Sequence, residues 1–183
     1  MSMQVLVVYA SRKGSTEEIA LTIGKELETG GQLVRVSQLK DVSSLDGYDA
    51  VVMGAPVYTG HIDDDLRKFV ERNKSGLKNI PVAAFAVGLA RVNPKIGSVA
   101  TIGEQLKEIV LPVNLVAMKV FAGKLDPAQH SFMTKTLISL MKAPTGDFRD
   151  WDVIKEWAQS LPGLFGTWNA SVFPNRQEKN LKY

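Results

Sequence analysis

Met3-Gln-Val-Leu-Val-Val-Tyr-Ala-Ser-Arg-Lys-Gly-Ser-Thr16 joins a short run that is apolar on both faces to a loop of hydroxyls, cations and one glycine. A strand without polar alternation has both faces covered, which is the condition of an inner strand in a parallel sheet between helices. After Thr16 the period changes: Ile19, Ile23 and Leu27 share one helical face. Strand, short loop and helix open a βαβ unit, so the loop lies at the carboxyl end of the strand and the amino end of the helix.

Outward from this unit the same texture returns. Ala50–Gly54, Val82–Val87 and Leu115–Phe121 read as buried strands, and the more mixed stretch from Gln32 to Leu39 suits an edge. Between them Leu66, Phe69 and Val70 share a face after Asp63, Ile102, Leu106, Ile109 and Val110 share another, and Ile154, Trp157, Ala158 and Leu161 a fourth after Asp150. Because crossovers between parallel strands are right-handed, the alternation predicts an α/β doubly wound fold with a five-stranded parallel sheet, order 2-1-3-4-5, and helices on both faces. Its ligand crevice lies outside the carboxyl ends of the strands, at the switch point. Residues 124–149 form an insertion between the fifth strand and the last helix. The expected division is one domain over 1–161 and a tail over 162–183, whose Phe165, Trp168 and Phe173 pack on the body or at a contact in a homodimer.

Composition narrows the chemistry. The 183 residues hold no cysteine and two histidines, His61 and His130, which removes thiolate clusters, a cysteine nucleophile and a histidine-rich metal centre; no metal is expected. Hydrophobic residues at 45% and charged residues at 22% are those of an ordinary folded domain. A formal charge of +3 favours anionic ligands and is too small to imply nucleic acid. No apolar run approaches the roughly 20 residues that cross a bilayer, so the expectation is a cytoplasmic protein with at most peripheral contact at the inner face of the membrane.

The loop Ser11–Thr16 offers hydroxyls and unpaired N–H groups at the positive end of a helix dipole, an arrangement that accepts a phosphate. Ser11, Ser15 and Thr16 can donate from their side chains, Arg12 and Lys13 add positive charge that partly offsets a dianion, and Gly14 lets the backbone turn close to the ligand. A helix cap alone is the plainer reading of Ser15-Thr16; the position after a buried strand favours the anion site. A Walker A loop lacks its first glycine here, no Gly-x-Gly-x-x-Gly follows the strand, no Gly-x-Ser-x-Gly elbow exists, and a receiver domain would need acidic strand ends where Tyr9-Ala10-Ser11 and Met53-Gly54-Ala55 stand. After the third strand come Pro56, Val57, Tyr58, Thr59, Gly60 and His61, a stiff turn with a ring able to lie on a flat conjugated ligand. His61 is a candidate proton donor, weighed against a plain polar residue before a helix. After the fourth strand come Gly88, Leu89, Ala90 and Arg91, followed by Lys95.

Together these loops resemble the flavodoxin family, whose Ser/Thr-x-x-Gly-x-Thr loop is matched by Ser11-Arg-Lys-Gly-Ser-Thr16. Within that superfamily the chain is similar to the menaquinone-dependent protoporphyrinogen IX dehydrogenases, through Gly54-Ala55, Tyr58, Gly60, His61, Phe69-Val70 and the stretch from Leu137 to Gly146. The resemblance implies FMN as cofactor. Its phosphate would rest on residues 11–16 and its ring between Pro56–Gly60 and Gly88–Arg91. It further implies a quinone or a redox protein as partner, with Arg91, Lys95 and Lys124 as candidates for the carboxylates of an anionic tetrapyrrole. The alternative is an electron carrier between proteins. The apolar residues of the insertion would either lie at a membrane interface, with Lys135 and Lys142 near headgroups, or cover the sheet edge.

Overall fold

Residues 2–93, 98–126 and 145–168 are described by a computed structural model. The chain runs through β1 (Gln4–Tyr9), α1 (Ser15–Thr29), β2 (Leu33–Gln38), β3 (Ala50–Tyr58), β4 (His61–Ile62), α2 (Asp64–Arg72), α3 (Lys74–Leu77), β5 (Val82–Gly88), α4 (Val99–Val110), β6 (Leu115–Ala122), β7 (Lys124–Leu125), β8 (Gly146–Asp147) and α5 (Trp151–Thr167). Strands β2-β1-β3-β5-β6 form the parallel sheet. With the two-residue strands left out of the numbering this is the expected order 2-1-3-4-5. Chain order turns back between β1 and β3, so the crevice of the switch point opens outside Tyr9 and Tyr58.

Apolar side chains on both faces of each inner strand build two cores. Leu6, Val8, Val51, Met53, Val82 and Ala84 pack toward α2 and α4 through Leu66, Phe69, Ile102 and Leu106. Val5, Val7, Val52 and Phe85 pack the opposite way, toward α1 and α5 through Ile19, Ile23, Leu27, Ile154 and Ala158. Alternate residues of one strand thus serve both layers, as the period of two requires. Phe85, Phe121 and Trp157 close the second layer with ring centroids 5.5 to 6.1 Å apart in tilted and edge-on contacts.

The helix starts follow from caps. The carboxylate of Asp63 accepts from the Asp65 amide at 3.1 Å, Ser98 Oγ accepts from Thr101 at 3.0 Å and Asp150 Oδ1 from Val153 at 3.1 Å.

Three features depart from the pattern read in the sequence. First, β3 does not stop at Gly54 but continues to Tyr58 and folds back as the antiparallel β4, with Tyr58 opposite His61. The turn residues Thr59 and Gly60 both take positive φ, 49° and 83°, the pattern of a tight two-residue hairpin. Second, the last helix does not end at Leu161 but runs through Pro162 to Thr167. Proline removes one helical N–H, yet Leu161 and Phe165, one turn apart, are both buried in the second core, and that burial carries the helix past the break. The start of the expected tail is therefore helical, and Phe173 falls outside the described residues. Third, the two ends of the insertion meet as a small ladder, Lys124 opposite Asp147 and Leu125 opposite Gly146. Its interior, including the pattern from Phe132 to Met141, lies outside the described residues. Among the described residues no helix is long and apolar enough to cross a membrane.

Candidate functional site

The loop after β1 has its shape fixed from within. The Gly14 amide donates to Ser11 Oγ at 3.0 Å, and Gly14 itself sits at φ +82°, a conformation that a side chain would strain. The first helical bond of α1 runs from the Glu18 amide to the Gly14 carbonyl at 2.9 Å. The amides of Ser15, Thr16 and Glu17 therefore precede the first hydrogen-bonded turn, where helix geometry supplies no acceptor. Thr16 is buried at the helix start, while Arg12 and Lys13 are exposed. An open glycine, a row of donors and a helix dipole in one place fit a phosphate.

Neighbouring strand ends complete the crevice. The Ala10 amide donates to the Gly54 carbonyl at 3.0 Å, binding the loop to β3. Gly88, at the end of β5, has no side chain because Val57 occupies the space: a Cβ there would lie 2.8 Å from Val57 Cβ. The carboxyl ends of β3 and β5 are thus in direct contact. The Gly123 amide donates to the Gly88 carbonyl at 3.0 Å, and the Lys124 amide donates to Ser15 Oγ at 3.2 Å. The carboxyl ends of β1, β3, β5 and β6 are thus linked side by side, and the last of them reaches back to Ser15 in the loop after β1.

The charges are distributed less simply. Arg12 turns away from the loop it belongs to: its guanidinium pairs with the buried carboxylate of Asp63 at 3.0 Å and stands 5.7 Å from the centre of the Tyr58 ring. That pairing changes its expected part, since the charge of Arg12 is committed to the cap of α2. Burial pushes the Tyr58 hydroxyl pKa above its ordinary value, against the opposing pull of Arg12. Arg12, Tyr58, His61, Asp63, Arg67, Lys68 and Gln105 line a cleft of about 460 Å³ beside the hairpin. His61 is exposed on its rim, Arg91 is exposed beyond β5, and Lys124 is exposed with its backbone on the phosphate loop. Lys95 lies outside the described residues.

A glutamine that sequence reading passed over fixes the hairpin. Gln105, on the first core's helix α4, donates to the Gly60 carbonyl at 2.9 Å and accepts from the Ile62 amide at 3.3 Å. Gln105→Leu is expected to lower stability by about 1 to 2 kcal/mol, because two part-buried backbone groups lose their partner. Urea unfolding measures the loss, and faster hydrogen exchange at Ile62 places it in the hairpin; an Ile62 amide as protected as in the parent would show the clamp to be idle.

The family model described as a flavodoxin domain matches residues 6–152, from β1 into α5. The chain belongs to the flavodoxin domain family. Among curated relatives, protoporphyrinogen IX dehydrogenase [quinone] of Escherichia coli K12 is 25% identical over 174 residues, covering 88% of this chain and 96% of that protein. The Leishmania major protein of the same name is 27% identical over 178 residues, covering 89% and 76%. Oxidised flavodoxin 1 of Bacillus cereus superposes with a TM-score of 0.58 at 16% identity, over 91% of this chain and 99% of that one. A flavoprotein in complex with FMN from Lactobacillus acidophilus NCFM gives 0.53 at 14% identity, over 65% and 93%. At such identities the structures establish the flavodoxin-like fold.

Within this flavodoxin domain the residues with the least local signal are those tying the insertion down. Arg149 reaches Glu18 at 2.7 Å and Asp147 at 2.5 and 2.8 Å, and stands 4.5 Å from the Trp151 ring centre with its side chain almost fully enclosed. The guanidinium holds the Asp147 carboxyl below the ordinary carboxylate range. A lowered folded-state pKa means that this contribution is present above the ordinary value and disappears as pH falls through the lowered one.

Proposed function

We propose that the chain is an FMN-dependent oxidoreductase that oxidises an anionic tetrapyrrole of the protoporphyrinogen type and passes the electrons to a quinone. The observation carrying this reading is the donor-rich loop Ser11–Thr16, tied through Ser15 to the stem after β6 at the carboxyl end of the sheet, in a chain that matches proteins named protoporphyrinogen IX dehydrogenase [quinone] over most of their length. FMN, when bound, supplies the redox chemistry; the protein supplies binding, orientation and control of access.

Each part has a physical task. The N–H groups at the start of α1 and the hydroxyls of Ser11, Ser15 and Thr16 would hold the phosphate, with Gly14 allowing close approach. Pro56, Val57, Tyr58, Thr59 and Gly60 on one side and Gly88, Leu89, Ala90 and Arg91 on the other would hold the ring. Gln105 keeps the peptide after Gly60 in place, which leaves the peptide between Thr59 and Gly60 as the one proposed to reorient. Thr59, β-branched at φ 49°, is strained in its present conformation, which lowers the cost of leaving it. Arg91, Lys95 and Lys124 are the cations proposed to meet substrate carboxylates, and His61 is the proposed proton donor on the open side of Tyr58. The 124–149 insertion is the proposed point of peripheral contact with a quinone-bearing membrane.

The test is turnover of the FMN-loaded protein with protoporphyrinogen and a soluble quinone analogue, with no reductase present, read as porphyrin fluorescence above the rate of spontaneous oxidation. Quinone-dependent formation of porphyrin is expected. Fast electron exchange with a ferredoxin reductase, with no porphyrin formed, would instead identify a carrier between proteins and overturn the enzymatic reading.

A further inference from the structure

We propose that Arg149 is a positioning residue for the cofactor's phosphate: it holds the Glu18 carboxylate and the stem of the insertion together, so that a dianion can settle at the start of α1. The proposal rests on the phosphate-loop reading given above and adds to it a residue more than a hundred positions away in the chain.

The geometry is a closed ring. Ser15 and Glu18 stand about one turn apart at the start of α1. From Ser15 Oγ the ring passes to the Lys124 amide at 3.2 Å, across the β7–β8 ladder to Asp147, from Asp147 to the Arg149 guanidinium, and from its other nitrogen back to Glu18 Oε2 at 2.7 Å. The Arg149 side chain is 3% exposed and lies against Trp151, so its direction is fixed by packing as well as by charge. The Phe148 amide adds a bond to the Gly123 carbonyl at 3.2 Å.

The two carboxylates of the first turn make the arrangement matter. Glu17 and Glu18 suit the helix dipole, but either would repel a phosphate in the same place. Glu17 is occupied elsewhere, accepting from the Tyr9 hydroxyl at 2.9 Å. Glu18 is not turned away: its Oε1 lies 3.9 Å from the position that a Cβ on Gly14 would take, over the phosphate loop, while Oε2 is held by Arg149. The guanidinium therefore offsets a negative charge that stands beside Gly14 of the phosphate loop. A fork with one arm on Asp147 and another on Glu18 does this with a geometry that an ammonium cannot reproduce.

The experiment compares FMN with riboflavin, which lacks the phosphate, by fluorescence titration of apoprotein. In Arg149→Met the Kd for FMN is expected to rise about tenfold while that for riboflavin changes less than about threefold, because only the phosphate feels the uncovered carboxylate. Adding Glu18→Gln to that variant is expected to bring FMN binding back to within about threefold of the parent, since of the two carboxylates that Arg149 holds, the one beside Gly14 is then gone. Thermal melts of each variant check folding. Equal weakening of both ligands without recovery, or no weakening, would show Arg149 to be a structural tie only and overturn the proposal. Should Arg149→Met not fold, Arg149→Gln takes its place: FMN binding several-fold weaker with riboflavin unaffected supports the proposal, and unchanged FMN binding overturns it. A parent protein that binds riboflavin as tightly as FMN would bring down the phosphate-loop reading as well. A parent preference for FMN that Thr16→Val reduces and Arg149→Met does not would remove Arg149 alone.

Discussion

Thr16→Leu purifies without flavin, whereas Thr16→Ser keeps it: this is the result expected if the phosphate rests on the start of α1. Thr16 is 2% exposed in the first turn of that helix, beside amides that precede the first helical bond. Leucine removes the hydroxyl and puts a longer apolar chain against the donors, while serine keeps the hydroxyl and loses only a methyl. A hydrogen bond to a charged group contributes about 1.5 to 3 kcal/mol, and crowding of the anion adds to that, so FMN affinity should fall on the order of 100-fold. The measurement is flavin stoichiometry after gel filtration together with a Kd from titration. Full stoichiometry in Thr16→Leu would mean that the phosphate binds elsewhere, and the reading of residues 11–16 would fall with it.

What was readable in the chain beforehand follows a physical divide. The strands that became β1, β3 and β5 showed themselves because a strand covered on both faces has no room for polar residues, and that is a local property; Leu115–Phe121, expected to be buried in the same way, is instead the half-buried edge strand β6, with Lys119 within it and Met118 exposed. Asp63 and Asp150 announced their helices because a cap acts within three residues. The extension of β3 was hidden by Pro56, which reads as a turn and here stands in a strand. The hairpin beyond it was hidden because Thr59-Gly60 is not one of the pairs that mark such turns. The commitment of Arg12 to Asp63 was hidden for another reason: a long side chain ends far from its own Cα, so the neighbours of its charge are not its neighbours in sequence. Gln105 and Arg149 carry no periodic or motif signal at all, and their partners at Gly60, Ile62 and Glu18 are brought near only by the fold. Loop chemistry could be inferred from spacing, but the contacts that orient those loops could not.

Gly54 separates what the fold demands from what the cofactor demands. It lies in β3 just before the residues proposed to hold the ring, and it is one of the residues that carry the family resemblance. In the structure a Cβ on Gly54 would stand 2.0 Å from Phe85 Cζ and 2.3 to 2.4 Å from the adjoining ring carbons. Phe85 cannot withdraw cheaply, because its ring is fully buried and packed against Phe121 and Trp157. Gly54→Ala is therefore expected to destabilise the protein by about 3 kcal/mol, the upper part of the range for overpacking a core, and to lower Tm by roughly 6 to 12 °C. Phe85→Leu in the same chain should recover part of the loss, although by itself it leaves a gap and destabilises; that non-additivity is the signature of two residues competing for one space. Calorimetry of the two single variants and the double variant measures it. If Gly54 served the flavin instead, Gly54→Ala would lose FMN affinity at an unchanged apoprotein Tm, and the replacement of Phe85 would give no recovery.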